Sequence, residues 1–231
     1  MTTTLITGAN KGLGYEASRR LLELGHIVYL GARDEERGRA AAQALGARFV
    51  LIDVTDDDSV ARAVDRIRDD EGHLDVLVNN AGITGGRATA DELGAEQMKT
   101  TFDTNVFGVV RVTRATLPLL RKSENPVIVN VSSGLGSLSI VTDPTRMEWP
   151  FPSLAYSASK AAVLMLTVQY AKALPELRIN AVDPGYTATD LNGNSGTQTV
   201  REGTDAIIRL ATIDRDGPTG TFQDRSGTVP W

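Results

Sequence analysis

Short runs of β-branched and aliphatic residues alternate along the chain with longer stretches of helical period. The runs Thr3 to Thr7, Ile27 to Leu30, Arg48 to Ile52, Leu74 to Val78, Val127 to Val131 and Arg178 to Val182 predict strands, and a last short one is expected near Gly220 to Gln223. Most are continuously apolar rather than alternating, as strands covered on both faces must be. Between them Leu13, Ala17, Leu21 and Leu24 make one apolar stripe; Val60, Ala63, Val64 and Ile67 make another at i, i+3, i+4, i+7. Each predicts a helix with one buried face. The second is expected to begin at Thr55 as N-cap, with Asp58 in capping-box position and Asp56 and Asp57 complementing the positive helix end. A longer helix is predicted from about Glu96 to Arg121, and an alanine-rich one from about Ser153 to Leu174, which Pro175 ends. Repeated strand–helix–strand units build a parallel sheet with helices on both faces, an α/β fold.

Length and charge narrow the picture. The 231 residues, 41% of them hydrophobic, suffice for a large core and fit one domain over residues 1–231. A net charge of −5 with no basic run argues against nucleic acid or an anionic membrane surface as partner. The chain has no cysteine and only two histidines, His26 and His73, so disulfides, thiolate nucleophiles and metal centres are not expected. His26 in a turn and His73 before a strand read as surface residues rather than general bases. The N-terminus has no charged stretch leading into an apolar one, and no segment approaches the roughly 20 apolar residues that span a bilayer. A cytoplasmic protein is the expectation.

Directly after the first strand comes Thr7-Gly8-Ala9-Asn10-Lys11-Gly12-Leu13-Gly14, and a helix follows at once. Glycines let backbone approach a pyrophosphate, and the free N–H groups of a new helix favour its charge, so a dinucleotide is the natural ligand. A glycine turn that merely joins strand to helix would look the same. The octapeptide lacks the Gly-Lys-Ser/Thr ending of a nucleoside triphosphate loop, which disfavours kinase-like chemistry. Further on, Tyr156 and Lys160 stand four apart on a predicted helix and share a face. A free phenol, with pKa near 10, needs a shift of about three units to exchange protons near neutrality. An ammonium about 4 Å away at an effective dielectric near 20 supplies about 4 kcal/mol of that kind.

These pieces together resemble the short-chain dehydrogenase/reductase family. Beside the glycine turn they comprise Asp53 after the third strand, Asn79-Asn80-Ala81-Gly82 after the fourth, Asn105 in the long helix and Ser132-Ser133 after the fifth strand. Tyr156-Ser-Ala-Ser-Lys160 and Pro184-Gly185-Tyr-Thr187-Ala-Thr189 complete the set. The resemblance covers essentially the whole chain, and five of its pieces fall at strand C-terminal ends, where open α/β sheets bind ligands. It implies a single-domain Rossmann-like fold with a mostly parallel sheet of seven strands, in the order 3-2-1-4-5-6-7, with helices on both faces.

The resemblance also implies roles. Tyr156 would protonate the substrate oxygen, Lys160 would lower its pKa and hold the nicotinamide ribose, Ser133 would hydrogen-bond the same oxygen, and Asn105 would position a water for proton relay. Cofactor contacts would come from Gly8, Asn10, Lys11, Gly12, Leu13, Gly14, Arg33, Asp53, Val54, Asn80, Ala81, Gly82, Tyr156, Lys160, Pro184, Gly185, Thr187 and Thr189. In Leu30-Gly31-Ala32-Arg33-Asp34 the family position of the ribose carboxylate is Ala32, and Arg33 with Lys11 supplies positive charge for the 2′-phosphate of NADP(H). Asp34 is the rival, as a ribose-binding carboxylate of NAD; its other reading is a helix cap.

Between Ser133 and Tyr156 lie 22 residues, more than in many family members. A long irregular loop beside a site is usually functional. It makes Leu135, Ile140, Trp149 and Phe151, with Tyr186 opposite, candidates for the substrate wall, and a passive cover is the alternative. The functional expectation is an NADPH-dependent reductase of a hydrophobic aldehyde or ketone, reversible as an alcohol dehydrogenase. A non-catalytic NADP-binding sensor on the same fold is the alternative. Subunit number is open, from monomer to homodimer or homotetramer.

Overall fold

The computed structural model describes residues 1–86 and 88–231. Its strands are β1 (Thr3–Ile6), β2 (Ile27–Ala32), β3 (Arg48–Leu51), β4 (Val76–Asn79), β5 (Val127–Val131), β6 (Arg178–Val182), β7 (Phe222–Asp224) and β8 (Gly227–Thr228). They form one sheet in the order β3-β2-β1-β4-β5-β6-β7-β8. The first seven run parallel in the expected order. An eighth strand, not expected, folds back antiparallel on β7. It spans two residues and depends on a tight turn in which Asp224 Oδ1 accepts from Ser226 N and Gly227 N at 2.7 and 2.9 Å. So short a strand has no hydrophobic period to announce it.

The principal helices are α1 (Gly12–Glu23), α2 (Glu35–Leu45), α3 (Asp57–Glu71), α4 (Ala95–Phe102), α5 (Gly108–Leu120), α6 (Leu138–Val141), α7 (Leu154–Ala173), α8 (Val200–Gly203) and α9 (Asp205–Ala211). Successive strand residues point to opposite faces, and both faces are covered. Leu5, Leu77, Ile128 and Ile179 pack with Val60, Val64, Val112 and Leu119 of α3 and α5. Their neighbours Ile6, Val76, Val78, Val127 and Val129 pack with Ala17, Leu21, Ala41 and Ile207 of α1, α2 and α9. This is why the strands read as apolar runs without alternation. No helix among the described residues is long and apolar enough to cross a membrane.

Three local expectations are corrected. Leu24 lies just past α1 at its C-cap and is exposed rather than part of the buried stripe. The N-cap of α3 is Asp56, whose carboxylate accepts from Ser59 N at 2.9 Å; Thr55 instead donates its hydroxyl to Asp53 Oδ1. Two acids and a threonine in a row are all competent caps, and the turn geometry chooses among them. The long helix expected from Glu96 to Arg121 is interrupted by a π turn over Asp103–Phe107, where Gly108 N–H reaches back to Asp103 O. Gly108 packs so tightly that a Cβ would stand 2.8 Å from Val54 Cγ2, and Arg111 covers the widened turn through Asp103 Oδ1 at 2.8 Å.

Candidate active site

The C-terminal ends of β1, β4, β5 and β6 open on a cleft of about 530 Å³. One end is the glycine turn. Gly8 and Gly12 adopt left-handed φ values of +61° and +56°. A Cβ on Gly8 would stand 2.9 Å from Ala81 Cα, so only glycine lets the two turns meet. Asn80 locks that meeting: its Nδ2 donates to Thr7 O at 2.8 Å and Gly8 O at 3.0 Å. α1 starts here with no side-chain cap and no acid in its first turn, leaving its first N–H groups for a ligand. These are the features a pyrophosphate needs, and they fit the dinucleotide cofactor that the sequence implies.

Gly8, Asn10, Lys11, Gly12, Leu13, Arg33, Asp53, Val54, Asn80, Ala81, Gly82, Pro184, Gly185, Thr187 and Thr189 all line the cleft. Gly14 does not. A Cβ there would stand 2.5 Å from Asn80 Nδ2 and 2.7 Å from Gly8 O, so this glycine serves helix-to-turn packing rather than ligand contact. Asp34 caps α2, accepting from Arg37 N at 2.9 Å, as its second reading held. Arg33 is exposed at the cleft rim, while Lys11 Nζ is paired with Asp190 Oδ2 at 3.0 Å. Asp53 lines the cleft and also holds the turn, its Oδ1 accepting from Thr55 N and Oγ1 at 2.9 and 2.7 Å. Asn79 ties strands together, donating to Asn130 Oδ1 at 2.9 Å.

The cleft floor carries Ser133, Tyr156 and Lys160. The α7 helix sets the last two one turn apart, with Lys160 Nζ 5.6 Å from the Tyr156 ring centre. The buried ammonium donates to Val131 O at 2.8 Å, and Ser132 Oγ donates to Lys160 O at 3.0 Å. Burial pulls the lysine from 10.5 down to about 8. Contrary to expectation the phenol is not lowered: burial and the charge of Asp183 push Tyr156 up to about 12, against a hydrogen bond with Ser133 that lowers it. The sequence shows the ammonium one helical turn away but not the desolvation that opposes it.

Asn105 sits on the π turn, and its side chain is fully engaged. Oδ1 accepts from Ile83 N at 2.8 Å, and Nδ2 donates to Ile83 O and Ser159 Oγ, each at 2.9 Å. Its amide thus fastens the segment after Gly82 to α7.

Of the residues expected to form a substrate wall, Leu135 and Tyr186 line the cleft. Ile140 does not: it is buried with Leu164, Ala181, Phe222 and Val229. Trp149 and Phe151 are exposed on the loop and lie outside the cleft lining. Apolar character marked these three, but direction comes only from how the loop folds. Leu191, also on the cleft, the buried Asp183 and the half-buried Glu148 were not picked out. The turn signal Asp183-Pro184-Gly185 could have flagged the aspartate. His26 and His73 line a separate cavity of about 540 Å³ at the N-terminal ends of the strands, far from this chemistry.

Residues 2–199 match the family model of the short chain dehydrogenases. The chain is 31% identical to (+)-neomenthol dehydrogenase of Capsicum annuum, over 94% of each protein. It superposes on salutaridine reductase of Papaver somniferum with a TM-score of 0.85 at 29% identity, covering 97% of this chain and 100% of that one. A carbonyl reductase from chicken fatty liver, solved with NADPH bound, gives 0.88 at 27% identity, covering 100% and 99%.

Proposed function

On the premise that this chain belongs to the short chain dehydrogenase family, and is therefore an oxidoreductase of the CH–OH/C=O class, we propose that it is an NADPH-dependent reductase of hydrophobic aldehydes or ketones. The observation that carries this reading is Tyr156: a phenol held protonated at neutral pH, beside Ser133, on the floor of a cleft whose other end is an uncapped glycine turn. Such a phenol is ready to donate its proton in the reductive direction.

The nicotinamide dinucleotide, when bound, supplies the hydride that adds to the carbonyl carbon. The protein's residues do the rest. Gly8, Gly12 and the first N–H groups of α1 hold the pyrophosphate, and Arg33 with Lys11 faces the 2′-phosphate. Asp53 receives the adenine, while Thr187, Thr189 and the Pro184-Gly185 backbone orient the nicotinamide end. The substrate oxygen lies between Ser133 Oγ, which donates a hydrogen bond, and Tyr156 Oη, which delivers its proton as the alcohol forms. Lys160, buried beneath, holds the ribose and a positive charge near the phenolate left behind. Asn105 fixes the segment after Gly82 against α7 through its bonds to Ile83 and Ser159. Run backwards, the same groups oxidise an alcohol. Leu135, Tyr186 and Leu191 give the entrance an apolar wall, which selects hydrophobic carbonyls.

Steady-state rates with NADPH and NADH against a panel of aldehydes, ketones and quinones test the reading, for the parent and Arg33→Ala. NADPH consumption is expected, with KM for NADPH raised about tenfold by Arg33→Ala and KM for NADH unchanged. A parent that prefers NADH overturns the cofactor assignment; tight cofactor binding with no carbonyl consumed overturns the reductase.

A further inference from the structure

Between α4 and α5 the hydrogen bond from Gly108 N to Asp103 O spans five residues instead of four, and Asn105 stands within that widened turn. Single π turns of this kind are rare and frequently mark functional sites. On one side the turn is held by the buried Asn105 amide through its bonds to Ile83 and Ser159. On another it is held by Arg111, one turn along α5 from Gly108. The guanidinium Nη1 lies 2.8 Å from Asp103 Oδ1 and donates to Asp103 O at 3.4 Å and to Val54 O at 3.3 Å. Its Nε stands 3.6 Å from Oδ2 of Asp57, the first residue of α3.

One side chain thus joins three elements: the turn between β3 and α3, the π turn, and α5. The elements meet closely, since a Cβ on Gly108 would stand 2.8 Å from Val54 Cγ2. Two of the three reach the cleft. Val54 lines it beside Asp53 at the adenine end, and Thr104 of the π turn lines it together with Gly82, Ile83 and Thr84. Arg111 itself lies outside the lining. Its side chain is 22% exposed, so its attraction to the carboxylates and carbonyls around it is partly shielded from water. An ordinary α-helical register through Asp103–Phe107 would rotate the residues on one side of the turn by about 100° around the axis. Asn105 would then face away from Ile83 and Ser159, and the segment after Gly82 would lose its tie to α7.

We infer that Arg111 is a positioning residue: it keeps the π turn in its five-residue register, so that Asn105 goes on fastening the Gly82–Thr84 side of the cleft to the helix of Tyr156 and Lys160. The inference rests on the reductase reading for its effect on turnover, and not for its effect on the turn. Losing the guanidinium displaces the reaction centre from a distance, and a displacement of about 1 Å costs up to about a hundredfold in rate.

The test compares the parent with Arg111→Met and Arg111→Ala. In Arg111→Met, kcat for carbonyl reduction is expected to fall about ten- to a hundredfold while KM for the carbonyl stays within about twofold. Arg111→Ala is expected to regain turnover in guanidinium chloride at concentrations that leave it folded, and not in sodium chloride of equal ionic strength. A residue that merely added stability would move the unfolding midpoint and produce neither the split nor the rescue. Amide hydrogen exchange reads the turn without turnover. The Ile83 N–H, bonded to Asn105 Oδ1, is expected to exchange about tenfold faster in Arg111→Met, with the Leu77 amide of β4 unchanged. An unchanged kcat, a carbonyl KM that rises while kcat holds, an absent rescue, or Ile83 exchange equal to the parent's overturns the inference. Should neither Arg111 variant fold, Asp103→Ala carries the test: that side chain is 40% exposed, and its loss releases the same guanidinium from the turn. Unmoved Ile83 exchange there is refutation. A parent that reduces no carbonyl counts against the reductase, and the exchange measurement still decides the role of Arg111.

Discussion

Replacing Lys160 with methionine is expected to make the protein more stable while removing its activity. The lysine is 4% exposed, and burial pulls its pKa from 10.5 to about 8. That difference corresponds to roughly 3 kcal/mol that the folded state loses at neutral pH by keeping the ammonium out of water. Methionine fills similar space without a charge. It forfeits the bond from Nζ to Val131 O, worth about 1 kcal/mol, so the net gain at pH 7 is about 2 kcal/mol. For a chain of this size, that is about 4 to 8 °C in Tm. The sign follows from linkage: between about 8 and the unfolded value near 10.4 the unfolded lysine binds the proton and the folded one does not. The parent's stability therefore rises with pH across that window, and the advantage of Lys160→Met shrinks towards zero. Urea unfolding and thermal melts at pH 7 and at pH 9.5 measure both. A Lys160→Met protein less stable than the parent at pH 7, or a difference that does not change with pH, would refute the account.

Further outcomes follow from the same geometry. Tyr156→Phe is expected to lower kcat for carbonyl reduction by about 10² to 10⁴, the usual range for losing a general acid, with the melting temperature not lowered, since a buried hydroxyl is removed. Gly14→Ala forces a Cβ to 2.5 Å from Asn80 Nδ2 and 2.7 Å from Gly8 O; a loss of about 1 to 3 kcal/mol in urea unfolding is expected, together with weaker dinucleotide binding. Asp190→Asn frees Lys11 from its exposed partner, so calorimetric affinity for 2′,5′-ADP is expected to rise about two- to fivefold while that for 5′-AMP stays put. Trp149→Ser with Phe151→Ser, outside the cleft lining, is expected to leave kcat/KM for small carbonyls within about twofold.

Much of this protein is local, and local features are legible in a sequence. The strand runs, the glycine turn and the Tyr156/Lys160 spacing depend on near neighbours along the chain, through steric freedom, period and reach. The order of the first seven strands then follows from the family likeness. Only the folded chain decided the remainder, because direction and dielectric arise from contacts distant in sequence. Gly14 looks like a ligand residue until Asn80, 66 positions on, is placed against it. Ile140, Trp149 and Phe151 share apolar character, yet one lies in the core and two in solvent. The tyrosine shows most plainly why: an ammonium one helical turn away is written in the spacing, whereas the burial that raises the phenol exists only when β5, β6 and α7 come together.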